Sequence, residues 1–296
     1  MGNILTKQFY RQRKDFEDSC AGRDAGLTFP EGVICSTDIA YADDGIKAHV
    51  LDIYRPEDSQ EKILPVIINV HGGGLIIGNK EFNRYFCALL CKKGFLVYSI
   101  EYRLIPDCLI YDQIADVFMA MDYIKERLAA DGGDSSHVYM AGDSGGACLI
   151  TYANAIQNST NIARAANVTP SGLRINALGL ISGMFYTSRF DKIGLFLPKY
   201  LYGRDYKKTP FAKYVNPENR ELLNSLAPVW LVTSHNDFLR RYTTDFEKAL
   251  TRAEREHELV VFPKNKKLTH AFSVFEPFLP ESSAVIDMMV EYLRKF

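Results

Sequence analysis

One serine in this chain has the neighbours that a nucleophile requires. The segment Gly142-Asp143-Ser144-Gly145-Gly146 follows a run of strand-forming residues, His137 to Ala141, and precedes an apolar helical pattern. This order predicts a strand, a tight turn that carries Ser144, and a helix. Glycine on both sides lets other backbone segments come close, and the helix N-terminus directs amide N–H groups towards the serine hydroxyl. We therefore predict that Ser144 is a catalytic nucleophile.

A serine hydroxyl needs a general base, and the base needs a carboxylate that fixes its tautomer and stabilises its charge. His270 lies in a loop after the predicted strand Leu259 to Phe262, and Asp237 follows the predicted strand Val229 to Thr233. His270 could instead be a solvated loop residue, and Asp237 could cap the helix predicted to follow it. Their positions after strand ends favour a catalytic triad of Ser144, Asp237 and His270.

The five residues around Ser144 also occur around the nucleophile of chymotrypsin-like proteases, which are built almost entirely of strands and follow the order histidine, aspartate, serine. The upstream histidines of this chain do not fit that order. His49 and His137 fall within predicted strands, and His71 opens a run of glycines. The order serine, aspartate, histidine is instead that of α/β hydrolases.

The glycine run His71-Gly72-Gly73-Gly74 directly follows the short apolar strand predicted from Ile63 to Val70. A tetrahedral intermediate carries negative charge on the former carbonyl oxygen, and preorganised backbone amides stabilise that charge. Glycines allow the backbone to approach a ligand closely, so this run is the pattern of an oxyanion loop, with the amide of Gly145 as the other contributor.

Strand and helix patterns alternate along the chain, which predicts a mainly parallel sheet covered by helices on both sides, an α/β fold. Besides the strands named above and a hairpin from Thr37 to Tyr54, strands are predicted at Phe95 to Ile100, Val138 to Ala141 and Ile175 to Ile181. Helices are predicted at residues 111–128, 145–157, 241–256 and 282–295. No linker divides the chain, so we predict a single domain over residues 1–296.

The segment between the strands that end at Ile181 and begin at Val229 is too long for a simple connection and is rich in Phe and Tyr. We interpret this segment as a lid that provides an apolar wall for the substrate. The alternative is ordinary packing of these aromatic side chains onto the domain.

From about residue 50 to residue 296 the chain resembles the hormone-sensitive-lipase-like family of carboxylesterases. Five ordered segments carry this resemblance: His71-Gly72-Gly73-Gly74, Glu101-Tyr102-Arg103-Leu104-Ile105-Pro106-Asp107, Gly142-Asp143-Ser144-Gly145-Gly146, Asp237-Phe238-Leu239-Arg240 and His270-Ala271-Phe272. The resemblance implies an α/β-hydrolase fold with Ser144, Asp237 and His270 as the triad. It implies Gly73, Gly74 and Gly145 as amide donors of the oxyanion hole, and a helical cap formed by about residues 1–35 and 184–222.

Three residues depart from the family pattern. Gly145 stands where the family usually has alanine, Phe238 where it usually has proline, and Ala271 where it usually has glycine. None of these changes removes a catalytic atom. We therefore expect them to affect rate and substrate choice rather than the class of reaction.

The motifs and the resemblance together predict a serine carboxylesterase or lipase-like hydrolase that cleaves short to medium acyl esters through an acyl-serine intermediate. Two alternatives stay open: the same triad could hydrolyse amides or formamides, or the chain could be a non-catalytic small-molecule receptor on this fold. The expected partner is a small apolar ester. No metal or cofactor is expected, because the six cysteines are scattered without the spacing of a metal site.

Charge and hydropathy exclude other classes of partner. The formal net charge of −1 provides no field that would attract nucleic acid, so nucleic-acid binding is not expected. No apolar stretch has the length needed to cross a bilayer and no apolar signal segment is recognised, so we expect no stable membrane insertion and a cytoplasmic location. Association into a homodimer is compatible with the sequence.

Overall fold

The computed structural model describes residues 2–59 and 62–296, so Met1, which belongs to the predicted domain and cap, lies outside the described residues. The described chain forms one eight-stranded sheet with the order β1-β2-β4-β3-β5-β6-β7-β8. The strands are β1 Val33–Ala40, β2 Val50–Pro56, β3 Leu64–Val70, β4 Leu96–Ile100, β5 Gly133–Asp143, β6 Leu178–Ile181, β7 Val229–Ser234 and β8 His257–Phe262. β2 is antiparallel to both of its neighbours, and all other pairs are parallel. The predicted α/β-hydrolase fold class is confirmed.

Helices cover both faces of the sheet. They are α1 Gly2–Asp24, α2 Arg84–Lys92, α3 Ile110–Arg127, α4 Ser144–Asn158, α5 Thr160–Ala166, α6 Lys192–Phe196, α7 Pro198–Leu201, α8 Arg220–Asn224, α9 Arg240–Arg252, α10 Phe272–Phe275 and α11 Pro280–Leu293. Short 3-10 helices occupy Glu57–Ser59, Lys80–Asn83, Tyr206–Lys208 and Pro210–Tyr214. None of the helices in the described residues has the length and apolar character needed to span a bilayer.

The central strands are apolar because both of their faces are covered. Val66 and Ile68 of β3 face the core formed with α3, α4 and α9, whereas Ile67 between them faces the core formed with α2 and α11. This alternation follows from the two-residue period of a strand, and burial on both faces explains why β3 reads as an almost unbroken apolar run.

Several strand boundaries differ from the sequence predictions, among them the starts of β5 and β6. β5 begins at Gly133, five residues before the predicted start at Val138, and β6 begins at Leu178 rather than at Ile175. Backbone pairing with β5 nevertheless begins before Leu178, since the N–H of Asn176 donates to the carbonyl oxygen of Val138 at 2.8 Å. The side chain of Asn176 adds two bonds from Nδ2, to the carbonyl oxygens of Ser136 and Phe296 at 3.0 and 2.9 Å. Hydrogen bonds of a single side chain do not change the spacing of apolar residues along the chain, so the sequence could not reveal them.

The N-terminal helix α1 is held to the domain mainly through arginine side chains. Arg13 donates from Nε to the carbonyl oxygen of Ile76 at 2.8 Å and from Nη2 to those of Leu104 and Ile105 at 3.0 and 2.6 Å. Its Nη1 also lies 2.7 Å from Oδ2 of Asp107. Ile76 lies two residues after Gly74, so the bond from Arg13 holds α1 against the backbone next to the glycine loop.

The aromatic residues between β6 and β7 are mostly internal. Tyr202, Phe211 and Tyr214 are buried and contact one another and the side chains of Tyr111 on α3 and Tyr152 on α4. Ordinary packing, the alternative considered for this segment, therefore describes these side chains.

Replacing Arg13 with alanine should loosen α1. The substitution removes charged donors from three backbone carbonyl groups, so we expect the free energy of unfolding to fall by about 1–3 kcal/mol and trypsin to cleave within residues 2–24 faster. Arg11→Ala is the matched control, because Arg11 lies on the same helix with its side chain 83% exposed. Equal thermal stability and equal cleavage rates for the two variants would contradict this function of Arg13.

Candidate active site

Ser144 lies at a sharp turn between β5 and α4. Its φ is +50°, in the left-handed region that a residue with a Cβ adopts only under constraint. The flanking glycines permit this turn, since a Cβ at Gly142 would come within 2.8 Å of the carbonyl oxygen of Val70. Ser144 is thus presented at the carboxyl edge of the sheet, with the first turn of α4 behind it.

The structure brings the three predicted triad residues together. Oγ of Ser144 lies 2.9 Å from Nε2 of His270, and Nδ1 of His270 lies 2.8 Å from Oδ1 of Asp237. With the Nδ1–H group donated to the carboxylate, Nε2 is left to accept the serine hydroxyl. This is the arrangement in which an imidazole can remove the proton of a serine.

Asp237 is held as a carboxylate by its neighbours. Its Oδ1 accepts the backbone N–H of Leu239 at 2.8 Å, and its Oδ2 accepts the hydroxyl of Thr233 at 2.8 Å. Burial alone would raise the pKa of Asp237, but the hydrogen bond and charge of His270, together with the hydroxyl of Ser182 and the N–H of Leu239, hold that pKa below its usual range. The alternative expected from the sequence, a helix cap, is not found: Asp237 accepts the N–H of Leu239, the N-cap residue of α9, and no side chain among the described residues caps the helix itself.

Two of the departures from the family pattern lie beside His270. Ala271 has a φ of +48°, a conformation that suits glycine, and its N–H donates to Oγ of Ser182 at 3.1 Å. The ring of Phe238 lies 4.4 Å from the imidazole ring of His270 between centroids. Ala271 therefore adopts the backbone conformation that glycine would favour, and Phe238 places an aromatic ring against the imidazole.

The glycine loop lies against the start of α4. Gly73 and Gly74 line the same cavity as Ser144, and a Cβ at Gly145 would come within 2.8 Å of the amide nitrogen of Leu75. Gly145 lies in the first turn of α4, where a backbone N–H has no carbonyl partner from a preceding turn. The backbone of the glycine loop and the first turn of α4 are thus in direct contact next to the cavity that Ser144 lines.

Two carboxylates for which the sequence predicted no function, the buried Asp143 and the half-buried Glu101, hold this loop. Asp143, next to the serine, accepts the N–H of Gly72 at 3.0 Å and Nδ2 of Asn83 at 2.9 Å. Glu101 accepts Nε2 of His71 at 3.0 Å through Oε1, while its Oε2 accepts the backbone N–H of Lys80 at 2.9 Å. Their positions inside the segments that carry the family resemblance were the only signal in the sequence, and those positions did not reveal these contacts.

Both ring nitrogens of His71 face acceptors. Nδ1 lies 2.8 Å from the carbonyl oxygen of Gly72, opposite the bond from Nε2 to Glu101, and the ring stacks on Tyr102. Burial alone would lower the pKa of His71, but the charge and hydrogen bond of Glu101 and the carbonyl of Gly72 raise it. Acceptors at both nitrogens and the raised pKa favour the protonated form of the ring, and its contacts with Glu101 and Gly72 hold the glycine loop in place.

Ser144 opens into an apolar cavity of about 300 Å³. Apart from the site residues, the wall consists of large apolar side chains from α1, the glycine loop, the segment after β6 and the segments around Asp237 and His270. They are Phe16, Ile76, Ile77, Phe82, Met184, Ile193, Leu197, Phe238, Leu239 and Phe275. The segment between β6 and β7 thus contributes Met184, Ile193 and Leu197, which are aliphatic, rather than its aromatic residues.

No group of three His, Cys, Asp or Glu side chains placed to hold a metal ion occurs among the residues that the structure describes. The absence of a metal or cofactor requirement stays a prediction from the sequence.

The raised pKa of His71 predicts a pH-dependent contribution to stability. A group whose pKa is higher in the folded than in the unfolded state stabilises fully below its unfolded value, and this contribution is lost as the pH rises through the folded value. We therefore expect His71→Gln to lower the melting temperature most at about pH 6 and progressively less towards about pH 9. His235→Gln, which removes an exposed imidazole, is the control. A decrease in melting temperature that is the same at every pH would show that His71 does not titrate in this way.

Comparison with known proteins gives distant relatives that match part of the chain. The chain is 29% identical over 184 residues to a probable isoprenylcysteine alpha-carbonyl methylesterase of Oryza sativa subsp. japonica, a match that covers 58% of this chain and 44% of that protein. It is 30% identical over 131 residues to the tuliposide A-converting enzyme b1 of Tulipa gesneriana, covering 40% of this chain and 35% of that protein. The matches thus span less than half the length of these curated relatives.

Solved structures share the fold over nearly the whole chain. Esterase B from Lactobacillus rhamnosis superposes with a TM-score of 0.92 at 22% identity, covering 99% of this chain and 95% of that one. A bacterial heroin esterase superposes with a TM-score of 0.72 at 21% identity, covering 98% and 92%. A family model described as alpha/beta hydrolase fold matches residues 67–273. That match includes every predicted triad and oxyanion residue, and the chain therefore belongs to the alpha/beta hydrolase fold family.

Proposed function

We propose that this chain is a serine carboxylesterase that cleaves small apolar esters. One observation carries the proposal: a continuous hydrogen-bonded path from Ser144 through His270 to Asp237, at the base of an apolar cavity. The esterase names of several relatives and structural neighbours support it. The proposal covers the roles of these three residues and those of the amide groups of Gly73, Gly74 and Gly145.

The reaction proceeds in two halves. Oγ of Ser144 attacks the ester carbonyl carbon while Nε2 of His270 takes the hydroxyl proton, and the tetrahedral intermediate collapses as that proton passes to the departing alkoxide. Water then attacks the acyl-serine, again losing a proton to His270, and release of the acid returns this proton to Oγ. Asp237 fixes the imidazole tautomer and stabilises its positive charge in both halves.

The negative oxygen of each tetrahedral intermediate accepts hydrogen bonds from the amide groups of Gly73, Gly74 and Gly145. These amides belong to backbone that is fixed before substrate binds, by the Asp143 contact with Gly72 and the ion pair between His71 and Glu101. Such preorganised donors stabilise a transition state more strongly than mobile water does.

The cap consists of two segments, about residues 1–35 and 184–222. Phe16 of the first and Ile193 and Leu197 of the second line the cavity above Ser144. A cavity of about 300 Å³ with apolar walls suits a short to medium acyl chain. The cytoplasmic location and the homodimer considered from the sequence remain predictions.

Ser144→Ala should abolish hydrolysis of p-nitrophenyl acyl esters. We expect kcat/KM to fall by about 10⁴-fold or more, because no other group supplies the nucleophile. Ser136→Ala is the control, since Ser136 is exposed near the start of β5. Full activity of the folded Ser144→Ala protein would refute the assignment, and faster turnover of matched amides than of esters would identify an amidase instead.

Gly145→Ala should lower kcat although alanine favours helices. The added Cβ would meet the amide nitrogen of Leu75 at 2.8 Å, so the glycine loop must move away from the oxyanion. We expect kcat for a p-nitrophenyl ester to fall by about tenfold or more, at nearly unchanged KM. Gly22→Ala on α1 is the control, because a Cβ there has no neighbour within 4 Å. An unchanged kcat would show that the loop position does not limit the reaction.

A further inference from the structure

Four large apolar side chains beside the cavity are exposed to solvent, and we refer to them as the rim patch. Phe190 is 92% exposed, Phe238 is 74% exposed, and Leu195 and Phe196 are each 56% exposed. Ile193 and Leu197, which lie in the same stretch of chain as Leu195 and Phe196, line the cavity together with Phe238. Single exposed apolar residues are common, but a group of them at the mouth of a binding cavity marks an interaction surface.

The helix α6 is apolar on more than one side. Ile193 and Leu197, four residues apart, share the face towards the cavity, while Leu195 and Phe196 project from the remaining surface. Lys192 is its only charged residue. A helix that is apolar all round belongs in apolar surroundings, yet the described residues cover one side of α6 only.

Contacts of the two residues on either side of Phe190 fix the exposed position of this side chain. Asp191 caps α6 by accepting the N–H groups of Ile193 and Gly194, both at 3.0 Å, and its Oδ2 accepts the hydroxyl of Tyr242 at 2.6 Å. Arg189 pairs with Asp245 on α9 at 2.9 Å. Phe190 therefore lies between two anchored residues and is directed away from the domain.

Exposed lysines accompany the rim patch. Lys192 and Lys199 lie on α6 and α7, and the loop that leads to His270 carries Lys264, Lys266 and Lys267. The ion pairs that lysines form within the described part of the chain involve other lysines. Asp191 and Asp245 are already engaged by Tyr242 and Arg189. The segments that carry the rim patch, and the loop before His270, thus combine apolar side chains with five exposed lysines that form no ion pair among the described residues, while the exposed carboxylates of Glu17 and Glu276 lie next to Phe16 and Phe275 on the other side of the cavity wall.

We propose that the rim patch and these lysines form the surface through which the protein adsorbs to an anionic lipid–water interface. The apolar side chains enter the boundary of the acyl chains, and the ammonium groups contact anionic headgroups, each contributing about 1 kcal/mol near such a surface. A second copy of the chain fits less well, because a symmetric contact would place like charges opposite each other.

Adsorption in this orientation turns the cavity mouth towards the lipid. An apolar ester then passes from the lipid to Ser144 through the apolar wall formed by Ile193 and Leu197, without crossing bulk water. The substrate class is accordingly a lipid-borne ester, and this part of the inference rests on the proposed esterase function. Adsorption itself requires no catalysis and can be measured separately.

The test uses the full chain carrying Ser144→Ala, so that vesicles stay intact. We expect it to sediment with vesicles of phosphatidylcholine and phosphatidylserine, and more weakly with phosphatidylcholine alone. Adding Phe190→Ser and Phe196→Ser should lower the partition coefficient by about tenfold or more, because two aromatic rings no longer enter the lipid. Ile63→Ser is the matched control, since Ile63 is 74% exposed but precedes the amino end of β3, at the opposite edge of the sheet.

A second variant tests the charges. Lys264→Gln, Lys266→Gln and Lys267→Gln together should reduce binding to the anionic vesicles and leave binding to neutral vesicles unchanged. In a protein with an intact Ser144, the Phe190→Ser, Phe196→Ser pair should keep its turnover of a water-soluble ester and lose turnover of an ester dispersed in vesicles.

Failure to sediment with either vesicle type, or equal binding by the double serine variant, would overturn the proposal. A dimer in light scattering that dissociates on Phe190→Ser and Phe196→Ser would assign the surface to a second copy instead. Vesicle binding by a protein that hydrolyses no ester would leave the adsorption surface standing and refute the proposed function.

Discussion

The hydrogen bond between Ser144 and His270 is the interaction on which the rest of this structure depends. It joins residues 126 positions apart, and only the register of the sheet can bring them together. Ser144, Asp237 and His270 follow β5, β7 and β8, and these strands are parallel, so their carboxyl ends share one edge. The buried parallel strands therefore place residues that are distant in the sequence next to one another at one edge of the sheet.

A second constraint is the direct contact of backbone with backbone beside the nucleophile. The glycine loop approaches the first turn of α4 so closely that Gly145 has no room for a side chain. Asp143 and the ion pair of His71 with Glu101 hold the loop in this position. Hydrogen bonds and ion pairs between buried polar groups are stronger in low-dielectric surroundings than in water. We therefore expect the loop to be rigid before any substrate binds.

Much of this arrangement was predictable from the sequence, because the signals were local and periodic. Apolar strand runs, the serine turn and the order of Ser144, Asp237 and His270 predicted the fold and the group of residues at the sheet edge. The resemblance implied that the N-terminal segment belongs to the cap, but the contacts that hold α1 were not predictable, because Arg13 binds carbonyl groups more than 60 positions away and such contacts leave no pattern. The cavity wall was predicted to be apolar, but the sequence did not show which side chains form it: the segment after β6 contributes Met184, Ile193 and Leu197, while its buried tyrosines fill the space against α3 and α4.

The central claim is that Ser144 is a nucleophile activated by His270, and covalent labelling of the folded protein with a fluorophosphonate tests it most directly. The account predicts a single adduct, located on Ser144 by peptide mass spectrometry, which forms far more slowly when His270 is replaced by alanine. An unmodified Ser144 after full exposure to the reagent, or an adduct confined to another residue, would contradict it.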